Sequence, residues 1–298
     1  MLNSESEKPM LLYFDDEAEL AQRVAHASGL SGVVIKKHRF PDGELKLQLP
    51  ERLPEHIVLF RSLHQPNEKL VELLLVARTA TQLGANRITL VAPYLAYMRQ
   101  DMAFSPGEVI SQQVIGGFLA SLFDAVITVD PHLHRISRLE EAIPTGRAIA
   151  LSGAPLLADL VARTHSDALL LGPDEESAQW VGSAALAHGF EHGVCTKVRR
   201  GDRDVEITLP DLAVRGRQVV LMDDVASSGE TLAQATRLLI KAGAAGVDVA
   251  VTHALFADDA LSRIRLAGVH HVWSTDCIAH PTNAVSIANT LAKNILSI

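Results

Sequence analysis

The stretch QVVLMDDVASSGETL, Gln218 to Leu232, decides the fold class: an apolar strand runs straight into two carboxylates, a turn of small residues and a helix start. Val219, Val220, Leu221 and Met222 form an unbroken apolar run, which predicts a strand buried on both faces, as in a parallel sheet covered by helices. Asp223 and Asp224 then emerge at its carboxyl end, where open α/β sheets bind ligands. Ala226, Ser227, Ser228 and Gly229 let the backbone wrap a phosphate closely. Thr231 falls near the first turn of a helix whose unpaired N–H groups and dipole favour an anion. Carboxylates accept from sugar hydroxyls while the turn takes a phosphate, so the predicted ligand is a sugar phosphate.

Outward from this stretch, short apolar runs alternate with helix-compatible segments. Strands are expected at Leu11 to Phe14, Val33 to Ile35, Ile57 to Phe60, Ile88 to Ala92 and Ala125 to Val129, with helices from Asp16 and across Lys69 to Leu83. Further strands are expected at Ala168 to Leu171, Val247 to Val251 and His271 to Ser274. This is βαβ patterning and predicts parallel sheets. GANRITLVAPYLAY, Gly84 to Tyr97, aligns without gaps on GAAGVDVAVTHALF, Gly243 to Phe256, each after an Ala- and Leu-rich helix. A helix, a glycine C-cap and a buried strand thus recur in one order. The expectation is two similar α/β domains, 1–146 and 147–298, divided within the Pro- and Gly-containing stretch from Ile143 to Ala154.

Composition bounds the function. A chain of 298 residues, 48% hydrophobic but 4% aromatic, suits two domains of helices packed on parallel sheet. Its net charge of -8 argues against general nucleic-acid affinity, which needs a basic face. Cys195 and Cys277 lie far apart without CxxC spacing, so neither a disulfide framework nor a zinc site is expected, and a reducing cytoplasm fits. No apolar run reaches membrane-spanning length, and no membrane association is expected.

The opening loop resembles the phosphoribosyl-binding loop of the type I phosphoribosyltransferase family, in which two acidic residues precede a Thr-Gly-Gly-Thr-like turn. Here the turn reads Ser228-Gly229-Glu230-Thr231, and Glu230 adds a negative charge where the family usually has a second glycine. Five more segments extend the likeness. Phe40-Pro41-Asp42-Gly43-Glu44, read alone, is a hairpin turn before the alternating strand Leu45, Leu47, Leu49. PYLAYMRQD, Pro93 to Asp101, follows a buried strand, and Arg99 offers a fork of donors suited to phosphate oxygens. An ion pair between Arg99 and Asp101 is the plainer alternative for those charges. Thr128-Val129-Asp130-Pro131-His132 ends a strand with an acid and a histidine. Gly172-Pro173-Asp174-Glu175-Glu176-Ser177 joins strand to helix, and read alone its acids serve the dipole of a helix start. Lys197 to Asp204, KVRRGDRD, is a dense charge run between two strands.

Together the six segments resemble the ribose-phosphate pyrophosphokinase family over nearly the whole chain. That resemblance implies two type I phosphoribosyltransferase-like domains and transfer of the β,γ-diphosphoryl group of ATP to the C1 hydroxyl of ribose 5-phosphate. It assigns Phe40, Asp42, Glu44, Arg99, Gln100, Asp101 and His132 to ATP, selecting His132 over the nearby His134. Ribose 5-phosphate falls to Asp223, Asp224, Ser227, Ser228, Gly229, Glu230 and Thr231. Mg2+ falls to His132 and Asp174, and catalysis to Lys197 and Arg199 on a mobile flap. A homo-oligomer, dimer or hexamer, is implied as well, the Phe40 loop reaching into a neighbouring subunit. The alternatives are a non-catalytic regulatory homologue and a phosphoribosyltransferase.

Overall fold

The computed structural model describes residues 8–133, 135–199 and 205–298, apart from the side chains of 197–199 and 205–206. Two compact units emerge, Met1–Leu151 with Ala288–Ile298, and Ser152–Ile287.

The first unit runs β1 (Met10–Phe14), α1 (Ala18–Ser28), β2 (Ser31–Arg39), β3 (Leu45–Gln48), β4 (His56–Phe60), α2 (Pro66–Gln82), β5 (Arg87–Ala92), α3 (Ser111–Ala120), β6 (Ala125–Val129), α4 (Leu139–Ala142) and β7 (Arg147–Leu151). Its seven strands lie in the order β3-β2-β1-β4-β5-β6-β7, parallel throughout except for the antiparallel β2–β3 hairpin. Leu59, Leu90 and Val126 are buried in mid-sheet beneath Leu73, Val76 and Ala77 of α2. Burial on both faces is why these strands read as unbroken apolar runs.

The second unit follows with α5 (Ala154–Thr164), β8 (Leu169–Gly172), α6 (Ala178–His188), β9 (His192–Val194), β10 (Thr196–Arg199), β11 (Val205–Thr208), β12 (Gln218–Ala226), α7 (Glu230–Lys241), β13 (Gly246–Ala254), α8 (Ala260–Leu266), β14 (Val272–Thr275) and β15 (Asn283–Val285). Its main sheet is six strands in the order β15-β14-β13-β12-β8-β9, while β10 and β11 form a separate antiparallel hairpin. The inner strands carry core on both faces: Val220 and Met222 pack with Leu157 and Val181, whereas Val219 and Leu221 pack with Leu232 and Leu239.

The aligned segments are built alike. Gly84 follows α2 at φ 100°, Gly243 follows α7 at φ 92°, and both sit in the left-handed half of backbone space that glycine enters without steric cost. Gly84 N–H donates to Thr81 O and Ala85 N–H to Ala80 O; Gly243 N–H donates to Ile240 O and Ala244 N–H to Leu239 O. Each pair is a Schellman cap turning a helix into a central strand.

Two expectations need correction. The division lies at Leu151/Ser152, within the expected stretch from Ile143 to Ala154 but five residues past 146/147, because β7 occupies that stretch and pairs with β6. The carboxyl-terminal helix α9 (Ala288–Ile295) belongs to the first unit, where it packs on α1.

Candidate functional site

In the second unit, β8 and β12 are parallel neighbours, Leu169 beside Val219 and Leu171 beside Leu221. Asp174, just past β8, and Asp223 and Asp224, within β12, therefore come to the same carboxyl edge. Asp223 and Asp224 remain strand residues, since β12 continues to Ala226. Asp223 Oδ1 accepts from Asp224 N–H at 3.0 Å. Burial, then the negative charges of Asp224 and Asp174, push the Asp223 carboxyl well above the usual carboxylate range. Asp174 Oδ1 accepts from Glu176 N–H at 3.2 Å, which caps the turn entering α6. Burial and the same Asp174 push the Cys195 thiol up to about 11, so it is an inert neutral group beside these acids. Among the described residues, no cluster of three or more His, Cys, Asp and Glu is arranged to hold a metal. Magnesium commonly takes only one or two carboxylates besides substrate phosphates, a set that a smaller group of acids can supply.

Ser227 to Thr231 connect β12 to α7, whose first turn begins at Glu230. Gly229 holds φ 71°, and a Cβ there would lie 2.9 Å from Ile264 Cδ1 and 3.1 Å from Ala260 O, so the turn needs glycine for conformation and for space. Ala226 O and Ser227 O accept from Phe256 N–H at 2.9 Å and Ala257 N–H at 3.0 Å. Those carbonyls are thereby committed to the connection after β13. Ser228 and Glu230 are exposed, and Ser227 and Thr231 partly so.

In the first unit, the Phe40–Glu44 segment is the turn of the β2–β3 hairpin. Phe40 N–H donates to Glu44 O at 2.9 Å, Glu44 N–H donates to Asp42 Oδ1 at 3.2 Å, and Gly43 supplies the positive φ. Phe40 is 41% exposed, with His38 edge-on to its ring at 4.9 Å. Asp42 and Glu44 are exposed beside it.

The loop after β5 carries Arg99, Gln100 and Asp101, and the loop after the neighbouring β6 carries His132. Arg99 is exposed and forms no ion pair with Asp101 among the described residues; Asp101 pairs with Arg135 instead. Gln100 is held at both ends of its amide, donating to Glu108 Oε1 at 3.1 Å and accepting from Ser111 Oγ at 2.9 Å. Glu108 also accepts from Phe104 and Ser105 N–H, which closes the loop. His132 is partly buried, and His134 lies outside the described residues.

A charged cluster on this edge escaped the sequence reading. Arg61, after β4 and 1% exposed, donates to Glu72 of α2 at 2.7 Å and to Asp16 at 2.7 Å, with Glu17 3.3 Å away. Lys69 donates to Glu17 at 3.1 Å and Ser62 O at 2.6 Å, and Lys37 of β2 reaches Glu72 at 2.9 Å. Burial pushes Glu17 up and Lys69 down, each partly offset by its opposite charges. The available signal was Lys69 and Glu72 on the same helical face as Leu73 and Val76.

Lys197 and Arg199 belong by backbone to β10, while their side chains lie outside the described residues, as does the whole run 200–204. His132 belongs to the first unit, and Lys197, Arg199, Asp174 and the Asp223–Thr231 segment to the second.

Comparisons with known proteins agree across both units. Residues 10–122 match the N-terminal domain of ribose phosphate pyrophosphokinase, and residues 141–287 match the phosphoribosyl transferase domain. A ribose-phosphate pyrophosphokinase from Methanopyrus kandleri is 32% identical over 290 residues, which is 96% of this chain and 98% of that protein. Ribose-phosphate pyrophosphokinase 1 of Archaeoglobus fulgidus is 35% identical over 278 residues, 92% of this chain and 95% of its own. The solved structure of a phosphoribosylpyrophosphate synthetase from Mycobacterium smegmatis superposes with a TM-score of 0.84 at 24% identity, covering 98% of each chain.

Proposed function

This chain belongs to the ribose-phosphate pyrophosphokinase family, and from that premise we propose that it transfers the β,γ-diphosphoryl group of ATP to the C1 hydroxyl of ribose 5-phosphate, giving 5-phosphoribosyl 1-pyrophosphate and AMP. The observation that carries this reading is the carboxyl edge of the second sheet, where Asp223 and Asp224 stand beside a glycine turn and the start of α7.

Asp223 and Asp224 accept from the ribose hydroxyls, and the turn from Ser227 through Ser228, Gly229 and Glu230 to Thr231 takes the 5-phosphate at the start of α7. The C1 oxygen attacks the β-phosphorus in line. A new C1–O–Pβ link forms, the Pα–O–Pβ bridge breaks with its electron pair leaving on AMP, and the hydroxyl proton passes to solvent. Phe40, Asp42 and Glu44 take the adenine, Arg99 a phosphate oxygen, and Gln100, Asp101 and His132 complete the nucleotide side. Lys197 and Arg199 stabilise charge on the transferring group.

Magnesium neutralises the polyphosphate when bound. Asp174 and His132 are the residues assigned to it, and the carboxylates around Asp174 suit a hard cation. Among the described residues no helix is long and apolar enough to cross a membrane.

Purified protein given ATP, ribose 5-phosphate and magnesium should release AMP and 5-phosphoribosyl 1-pyrophosphate in equal amounts, and Lys197→Ala should lower turnover by a hundredfold or more, on the order expected for removal of a charge-stabilising donor. ADP as the product, or no turnover at any magnesium concentration, overturns the proposal.

A further inference from the structure

Glu230 places a negative charge at the start of α7, in the turn assigned to a phosphate, and its partners come from elsewhere in the second unit. Arg263 Nε of α8 lies 3.7 Å from one carboxylate oxygen of Glu230, and Arg237 Nη1 of α7 lies 3.9 Å from the other. At these separations the pairs offset charge without fixing geometry.

The tighter contact of Arg263 is to the turn's backbone. Its Nη1 donates to Ser228 O at 2.8 Å, while its Nη2 donates to Asp259 Oδ1 at 2.7 Å and so fixes the guanidinium plane. With the bonds from Phe256 and Ala257, the carbonyls of Ala226, Ser227 and Ser228 are all engaged by the single segment from 256 to 263. A carbonyl turned onto that segment cannot repel a phosphate. Phe256 and Asp258 hold φ 31° and 51°, unusual for non-glycine residues, where the chain bends to bring these donors round.

We propose that Arg263 is a positioning residue for phosphate recognition, holding the Ser228 carbonyl away from the ligand and offsetting Glu230, so that a turn carrying a carboxylate still accepts a phosphate. The identity of that phosphate as ribose 5-phosphate rests on the pyrophosphokinase reading; the coupling between Arg263 and the turn does not.

Calorimetric titration of the full chain with ribose 5-phosphate, with inorganic phosphate and with ATP separates the two. Arg263→Ala should weaken ribose 5-phosphate and inorganic phosphate about tenfold, the size of one charge-assisted hydrogen bond acting indirectly, and leave ATP within about twofold. In turnover, KM for ribose 5-phosphate should rise while kcat and KM for ATP hold. Arg263→Lys should restore part of the loss, and Glu230→Gln should tighten phosphate binding about twofold to threefold through removal of one repulsive charge. Should Arg263→Ala fail to fold, Arg263→Gln, which keeps a donor but no charge, must fall between wild type and a full loss. Unchanged phosphate affinity in these variants, or equal loss of ATP and phosphate, overturns the inference. A wild-type chain that binds inorganic phosphate but not ribose 5-phosphate overturns the pyrophosphokinase reading and leaves the Arg263 comparison intact; one that binds neither overturns both.

Discussion

Just past β1 in the first unit, Asp16 and Glu17 meet Arg61 and Lys69; past β8 and within β12 in the second, Asp174 and Asp224 add their charges to Asp223. Both groups lie at the carboxyl edge of a parallel sheet, where ligands bind in such folds. Their electrostatics are opposed. Burial raises Asp16, but the hydrogen bond and charge of Arg61, with Lys37 and Lys69, outweigh it and leave that carboxyl below its usual range. Burial likewise opposes the charge on Arg61, and Glu17, Asp16 and Glu72 reverse it, holding the guanidinium ionised. At Asp223, burial and the named neighbouring charges all act in one direction, upward. A neutralised cluster fastens β1, β4 and α2 together, whereas a repulsive one is held by the rest of the fold and is relieved by a cation or a hydroxyl-bearing ligand.

Arg61→Ala tests the neutralised side and should have the largest effect. It leaves Glu72, 0% exposed, and Glu17 without their main cation, at a cost of about 3–5 kcal/mol, the usual result of breaking a buried pair from one side. Chemical denaturation of the first unit's signal measures it. Glu72→Gln added to Arg61→Ala should recover part of the loss. Equal stability of wild type and Arg61→Ala would show that the cluster is not a fastening.

Asp223→Asn tests the repulsive side, and the sign should reverse. Removing the titrating carboxyl removes its strain, so the metal-free protein should gain stability at neutral pH. Turnover should fall by about a hundredfold, as for loss of a charged hydrogen bond to the substrate. Thermal melting beside the assay reads both. Loss of stability together with activity would place Asp223 in the structural class with Glu72 and erase the distinction.

The acidic strand end, the glycine turn into α7 and the βαβ order were legible because each rests on neighbours in sequence. The apolar runs Val219–Met222 and Ala125–Val129 are buried along their length and need no partner to be recognised. β7 was not legible: it is an edge strand with Arg147 exposed and Ala148 buried, framed by prolines and glycines that point to a domain boundary. Nor was the placement of α9, whose Leu291 and Ile295 are buried within a unit otherwise finished by Leu151. The Arg61 cluster joins residues 16–17, 61 and 69–72, and Arg263 reaches Ser228 across 35 positions. Such pairings are set by which strands become neighbours, information that no single segment carries.

The smallest effect sets the two edges against each other through pH. His64 stands 3.3 Å from Lys69 Nζ by its Nδ1, an arrangement in which a neutral ring accepts from the ammonium. Burial, then the charges of Lys69 and Arg61, lower its pKa from 6.5 to about 4. Between those values the unfolded chain binds a proton that the folded chain does not, so His64 contributes stability that is present above 6.5 and lost as pH falls toward 4. Allowing for partial exposure, the loss should be about 1–2 kcal/mol. Asp223 has the opposite slope. With its folded pKa raised, the folded chain keeps a proton that the unfolded chain releases, and stability in metal-free buffer falls as pH rises above the usual carboxylate range. Denaturation midpoints taken from pH 4 to 6.5 should therefore rise less steeply, or fall, in His64→Gln, and rise more steeply in Asp223→Asn, relative to wild type. If both variants move the slope in the same direction, the two edges do not differ in the way their charges are held.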